Sequence, residues 1–339
     1  MKIGVVGLPN VGKSTLFNAL TRQRAQSANY PFCTIEPNVG IVSVPDARVD
    51  FLGQHYHAKS IVHTTIEFVD IAGLVKGAST GEGLGNKFLA SIREADAIIH
   101  VVRAFDGSDI VHVDGNVNPS RDIDTINLEL ILADIETVNK RLEKNRNPDE
   151  VASLRKIKEV LLAGKPASAV TSDRSLGLLT TKPVIYCANT GENGSMKYLD
   201  VIKSHGTTIA VCAKIEEELS QLSDPREQKE LMQIYGINES GLDKLIKASY
   251  DLLGLISYLT AGEPEVRAWT ISKGTKAPQA AAKIHTDFER GFIRAEVISY
   301  SDFVAAGNML KAREAGKVRS EGKDYTVKDG DIIHFKFNV

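Results

Sequence analysis

A stretch near the N-terminus limits what this chain can fold into more than any other. Gly7-Leu8-Pro9-Asn10-Val11-Gly12-Lys13-Ser14 fits the pattern GxxxxGK(S/T). The apolar run Ile3–Val6 precedes it directly, and a helix is expected from about Lys13 through Leu20. Strand, glycine-rich turn and helix in that order begin a parallel α/β sheet. The glycines let backbone N–H groups turn inward around phosphate oxygens, and the helix N-terminus adds a favourable dipole. Lys13 is expected to reach the β- and γ-phosphates of a nucleotide, and the Ser14 hydroxyl to ligate Mg²⁺. Asn10, Val11, Gly12, Lys13, Ser14 and Thr15 are the expected residues on the phosphate side.

The rest of the chain can support such a sheet. Further strands are expected at Thr65–Val69, Ala97–Val102, Pro183–Ala188 and Thr208–Cys212, mostly separated by helical patterns. The length of 339 residues suggests two or three domains at roughly 100–200 residues each. Hydrophobic residues at 42% and charged residues at 25% are ordinary for a globular protein with real cores. Lys+Arg is 41 and Asp+Glu is 43, so bulk charge does not make this a polyanion binder. Any nucleic-acid contact must come from a local patch. Cys33, Cys187 and Cys212 lie far apart with no CxxC, which argues against a zinc site or a disulfide framework. The N-terminus offers no signal-peptide apolar region, and no run of about 18 apolar residues occurs. A cytoplasmic protein with no membrane contact is expected.

Two regions break the α/β rhythm. Leu128, Ile131, Ile135, Val138 and Leu142 are spaced 3, 4, 3, 4, a heptad seam. Asn145-Arg146-Asn147-Pro148 signals a turn, and Val151, Leu154, Ile157 and Leu161 mark a second helix. An antiparallel helical hairpin is expected, either an insertion packed on itself or an arm that docks a partner. From about Leu255 the pattern becomes short strand-like runs, Val266–Ile271, Ile293–Val297, Tyr325–Val327 and Asp331–Phe337. Helical stretches near Pro278–Ile284 and Ala312–Arg319 interrupt them. This reads as a small α+β domain.

Three further motifs complete a nucleotide site. Asp70-Ile71-Ala72-Gly73 follows an apolar strand, so Asp70 can hold Mg²⁺ through water and Gly73 can offer its N–H to a γ-phosphate. Thr34, in the loop Tyr30–Pro37, can complete the Mg²⁺ shell and sense the γ-phosphate. The metal candidates are Ser14, Thr34 and Asp70. Switch GTPases read guanine with Asn-Lys-x-Asp. Here the equivalent strand ends in Asn189-Thr190-Gly191-Glu192, without the lysine and with a carboxylate one methylene longer. Asn189 can still serve an adenine. Cys212 and Ala213, followed by Lys214, resemble the last base-contacting loop. Leu74 stands where Ras-like enzymes place a water-orienting glutamine, so intrinsic hydrolysis should be slow. Gly73, Gly77, Gly81, Gly83 and Gly85 suggest a flexible switch or lid.

These motifs, with Asp70–Ala78 and the tail Ile284-His285-Thr286-Asp287-Phe288-Glu289-Arg290-Gly291-Phe292, resemble the YchF/Obg-like ATPases over almost the whole chain. The stretch around 144–180 is shorter and less like that family. The resemblance implies a P-loop NTPase (G) domain over 1–120 and 180–254, an inserted helical coiled-coil domain over 121–179, and a ubiquitin-like β-grasp (TGS) domain over 255–339. It implies hydrolysis of ATP in preference to GTP, association with ribosomes, and a part in translation or stress control. It also implies a hydrophobic residue at Leu74 and a loop histidine replacing the glutamine. The matching position is His112, which joins Lys13 and Gly73 as a catalytic candidate. His100, inside a strand, reads as a core histidine. Asn10 matches an asparagine with which some related enzymes hold K⁺, so the implied cofactors are Mg²⁺ and, through Asn10, K⁺. A monomer is expected.

Residues 256–339 hold 13 Lys/Arg against 11 Asp/Glu, with Lys311, Arg313, Lys317, Arg319 and Lys323 clustered. That cluster can touch rRNA phosphates or be a solvated helix face. The leading expectation is a slow Mg²⁺-dependent ATPase switch. The alternatives are a GTPase of the same fold, if Glu192 accepts from guanine, and a nucleotide-gated RNA- or protein-binding module.

Overall fold

The computed structural model describes residues 1–25, 38–72, 84–106, 116–192, 194 and 196–338. Thr34, Gly73, Leu74, Gly77, Gly81, Gly83 and His112 lie outside them. The chain forms two compact units. One comprises Met1–Val42 and Ile66–Leu252, the other Ser43–Thr65 and Leu253–Val339.

The first unit opens with β1 (Lys2–Val6) and α1 (Lys13–Ala25), a helix one turn longer than the sequence pattern predicts. After β2 (Val39–Ser43) the chain enters the second unit as α2 (Ala47–His55) and β3 (Ile61–Val62). It returns as β4 (Thr65–Asp70), α3 (Leu84–Glu94) and β5 (Ala97–Ala104). Gly85 sits in the first turn of α3. Two long helices follow, α4 (Pro119–Lys144) and α5 (Pro148–Leu162). The unit closes with β6 (Val184–Thr190), α6 (Leu199–Lys203), β7 (Thr208–Val211), α7 (Ala213–Gln221), α8 (Pro225–Ile234) and α9 (Gly241–Leu252). Its sheet runs β2-β4-β1-β5-β6-β7, with β1, β4, β5, β6 and β7 paired in parallel. All eight residues of β5 are buried, as a central parallel strand requires.

Both long helices start on an asparagine cap followed by proline. The Asn118 and Asn147 side chains accept from backbone N–H groups, and Pro119 and Pro148 occupy a position that has no N–H to lose. The hairpin core contains Ile131, Val138, Leu154, Ile157 and Leu161, with Ile135 and Leu142 partly buried against it. Leu128, the first position of the expected seam, is 54% exposed instead. The cause is length. α4 has 26 residues and α5 only 15, so α5 runs out near Ile131. Before that point α4 packs on the sheet, where Ile123 meets Val102, Ala104 and Ala188. Asp134 fastens the returning chain. Its buried carboxylate accepts from Leu179 N (2.7 Å), Thr180 N (2.8 Å) and Thr180 Oγ1 (2.6 Å).

The second unit holds β8 (Leu255–Ala261), β9 (Val266–Ser272), α10 (Ala277–Ala282), α11 (Thr286–Arg290) and β10 (Phe292–Ser299). It ends with α12 (Tyr300–Ala306), α13 (Met309–Glu314), β11 (Arg319–Glu321) and β12 (Asp331–Phe337). The sheet order is β11-β10-β12-β8-β9-β3, with β12 parallel to β8 and β8 antiparallel to β9. A final strand returning parallel beside the first is what a β-grasp needs. Two expectations are corrected here. The helix expected over Ala312–Arg319 ends at Glu314, and Arg319 begins a strand. Tyr325–Val327 makes only an isolated bridge, through Thr326 to Lys276.

Residues 43–65 were expected in the first domain but pack in the second unit. Val49 and Leu52 of α2 are buried among Leu259, Val266, Ile298, Phe303 and Ile332. β3 pairs in parallel with β9, and the Arg48 guanidinium is held by Asp46 (2.8 Å) and Asp329 (2.6 Å). The physical reason is the amphipathic face of α2, which finds its cover on the later sheet.

Candidate functional site

The loop between β1 and α1 has the backbone that its sequence demands. Asn10 and Gly12 both have positive φ, +63° and +88°. A side chain at Gly12 would be strained and would also run into the Asn189 amide. Lys13 opens α1, and its ammonium is paired with the Asp70 carboxylate at the end of β4. β1 and β4 are neighbours, with Val5 opposite Asp70, which is why these residues, distant in sequence, meet.

A cavity of about 920 Å³ opens over this loop. Asn10, Gly12, Lys13, Ser14 and Thr15 line one end; Asn189, Thr190, Gly191, Glu192, Cys212 and Ala213 line the other. The expected phosphate and base segments therefore meet in one cavity, because β6 and β7 follow β5 in the same parallel sheet. Val11 differs from its neighbours. Its side chain is 1% exposed, and its carbonyl accepts from Asn189 Nδ2 at 2.8 Å. Asn189 Oδ1 in turn accepts from Ala213 N at 3.0 Å. The amide expected to read the base thus ties the phosphate loop to the loop after β7.

The base end of the cavity is also lined by Lys214, which follows the expected base loop, and by Phe105 and Glu217, which sequence reading missed. The fully buried Arg103 donates Nε to Phe105 O at 3.2 Å and stacks 4.4 Å from its ring. No motif announces Phe105; it is one aromatic residue beyond a strand. Lys214 Nζ lies 2.8 Å from Glu192 Oε2, and this hydrogen bond raises the Lys214 pKa. Burial raises the Cys212 thiol, so it sits in the wall as a neutral group. His100 is 2% exposed beside Tyr186, where burial lowers its pKa to about 3.

The donors near Lys13 are hard oxygens, the Ser14 hydroxyl and the Asp70 carboxylate, a set that suits Mg²⁺ rather than a soft metal. Among the described residues no group of three His, Cys, Asp or Glu side chains could hold a metal by itself. Nor is any described helix long and apolar enough to cross a membrane.

Known proteins match this arrangement. Residues 2–140 fit the profile described as 50S ribosome-binding GTPase. Residues 255–338 fit the C-terminal YchF-GTPase profile, described as a protein of unknown function. The chain is 56% identical to a Bacillus subtilis protein named ribosome-binding ATPase YchF, over 99% of each. The chain belongs to the YchF family. A Haemophilus influenzae YchF protein of the same name is 52% identical over 100% of this chain and 99% of its own length. The structure of the Schizosaccharomyces pombe YchF GTPase superposes with a TM-score of 0.89 at 42% identity, covering 99% of this chain and 97% of that one. The alignment with the Bacillus YchF spans 362 positions against the 339 residues here, so that relative carries stretches this chain lacks. This chain is accordingly a P-loop NTPase.

Proposed function

We propose that this chain is a slow, ribosome-associated ATPase that prefers ATP to GTP and acts as a nucleotide switch in the cytoplasm, as a monomer. The observation that carries the base preference is the state of Asn189 and Glu192. Guanine needs a free carboxylate to accept from N1–H and the exocyclic amine. Glu192 is longer than the aspartate used for this and is engaged by Lys214. Adenine asks less of that carboxylate, and Phe105 offers its base a ring face. The YchF relatives carry both words, ATPase and GTPase, in their names.

In this reading Lys13 leaves Asp70 and meets the β- and γ-phosphates, while the loop N–H groups neutralise their charge. Ser14, Asp70 and Thr34 would hold Mg²⁺, which when bound supplies positive charge at the phosphate oxygens. Gly73 donates to the γ-phosphate. His112 orients the attacking water in place of a glutamine. Water adds to the γ-phosphorus, the bond to the β,γ-bridging oxygen breaks, and ADP and phosphate leave. Asn10 would hold K⁺ near the same oxygens.

Calorimetry with non-hydrolysable ATP and GTP analogues in Mg²⁺, with K⁺ or Na⁺, tests this. ATP analogue binding about tenfold tighter, about 1.4 kcal/mol, supports it. Tighter GTP analogue binding overturns it and makes Glu192 a guanine reader. Stronger binding in K⁺ than in Na⁺ supports the role of Asn10. Co-sedimentation with ribosomes tests the partner.

A further inference from the structure

Lys+Arg and Asp+Glu nearly balance in this chain, 41 against 43, so an all-cationic surface is a local construction. Sequence pointed to the cluster Lys311–Lys323. Once folded, three of its five cations are neutralised. Arg313 pairs with Glu296 at 2.9 Å and Lys317 with Asp302 at 3.0 Å. Arg319 lies 3.4 Å from Glu321 and donates to Tyr325 Oη at 3.1 Å.

The first unit differs. The end of α3 and the last turns of α4 enclose an open groove of about 640 Å³ lined by Arg93, Lys140, Arg141, Lys144 and Arg146. The remaining lining residues, Thr137 and Asn145, are neutral, so no carboxylate lines it among the described residues. Glu136, just outside, pairs with Lys140 at 2.5 Å, with both side chains more than 60% exposed. Arg141 and Arg146 donate to carbonyls, Ser175 O (3.4 Å) and Glu143 O (3.2 Å), and among the described residues neither forms an ion pair, although the Arg141 charge adds to the Ser175 hydrogen bonds that lower the Asp173 pKa. Thr137, Lys140, Arg141 and Lys144 follow the i, i+3, i+4, i+7 spacing of one helix face. The C-terminal dipoles of α3 and α4 offset part of the repulsion among these cations. They make the cluster tolerable without neutralising it.

Among the described residues the groove has no aromatic or aliphatic lining residue. A protein partner therefore has nothing to anchor in, since protein interfaces draw their energy from buried apolar and aromatic anchors. A row of Arg and Lys without anchors suits a phosphate backbone, which is held by charge and not by sequence. We propose that this groove is where the chain grips an RNA phosphodiester backbone. The inference rests on the ribosome-associated reading and names the surface that serves it.

The test compares Arg93→Gln/Arg141→Gln/Lys144→Gln with Arg313→Gln/Lys317→Gln. Binding of a fluorescently labelled short RNA duplex is measured across KCl concentrations. Each lost phosphate contact lowers the slope of log affinity against log salt by about 0.7–0.9, so the triple variant should lose about 2–3. The C-terminal pair should lose nothing. Single-residue Lys144→Gln, at a side chain that forms no hydrogen bond or ion pair among the described residues, should lose about 0.7–0.9 and covers the case of a misfolded triple variant. Turnover of ATP by the free triple variant should equal the parent's. An unchanged slope in the triple and single variants, a loss confined to the C-terminal pair, or no RNA binding by the parent overturns the groove. Poly-glutamate competing as well as RNA at equal charge also overturns it, in favour of an acidic protein. Parent co-sedimentation with ribosomes is read separately. Its failure sinks the ribosomal reading, while the RNA slope still decides the groove.

Discussion

Asn189 shows how much one side chain can do within the protein itself. Its amide joins Val11 O to Ala213 N inside the protein, where an unmade hydrogen bond costs most. Asn189→Ala should lower unfolding free energy by about 1–3 kcal/mol and weaken nucleotide binding together; chemical denaturation and calorimetry read the two. Lys214→Ala should release Glu192 and narrow the preference for ATP analogue over GTP analogue by a few-fold. An unchanged ratio would remove Lys214 from base selection. His112→Ala should abolish most turnover yet keep ATP analogue affinity, whereas Lys13→Ala should lose both. At this scale the phosphate loop was legible because its chemistry dictates its backbone, glycine by glycine. Phe105 was not, because a single ring beyond a strand carries no spacing. The partners of Asn189 were not either, since they depend on which strands become neighbours.

Among the elements, β5 carries a titration within its burial. The His100 imidazole is kept neutral to about 3, chiefly by burial and also by His205. In the unfolded chain it protonates near about 6.5. Between those values the unfolded state binds a proton that the folded state refuses. The stability this contributes is complete above about pH 6.5 and is lost as pH falls toward 3. His100→Leu should flatten the dependence of urea-unfolding free energy on pH below neutrality; parallel curves for parent and variant would refute it. The helical hairpin was legible from its heptads and from Asn145–Pro148. Its registry was not, because the heptad assumes a partner along the whole of α4. α5 covers only part of it, and Leu128 falls beyond its reach.

For the whole molecule, sequence order misled in one place. Contiguous reading put residues 43–65 with their neighbours, while the fold gives them to a unit otherwise built from Leu253 onward. Nothing in the local sequence of α2 says which sheet Val49 and Leu52 will cover. Leu52→Ala should destabilise the second unit by about 2–5 kcal/mol, read as the unfolding of that unit followed by Trp269 fluorescence. Unperturbed Trp269 unfolding would contradict the shared core.

That division has a consequence for synthesis. Residues 43–65 leave the translating ribosome long before the strands that cover them exist. At about 5–20 residues per second, the intervening chain takes about 10–40 s to make. Through that interval Val49 and Leu52 have no core to enter and are open to chaperones and proteases. The second unit therefore assembles as a late event, and a premature stop after Leu252 leaves the apolar face of α2 permanently bare.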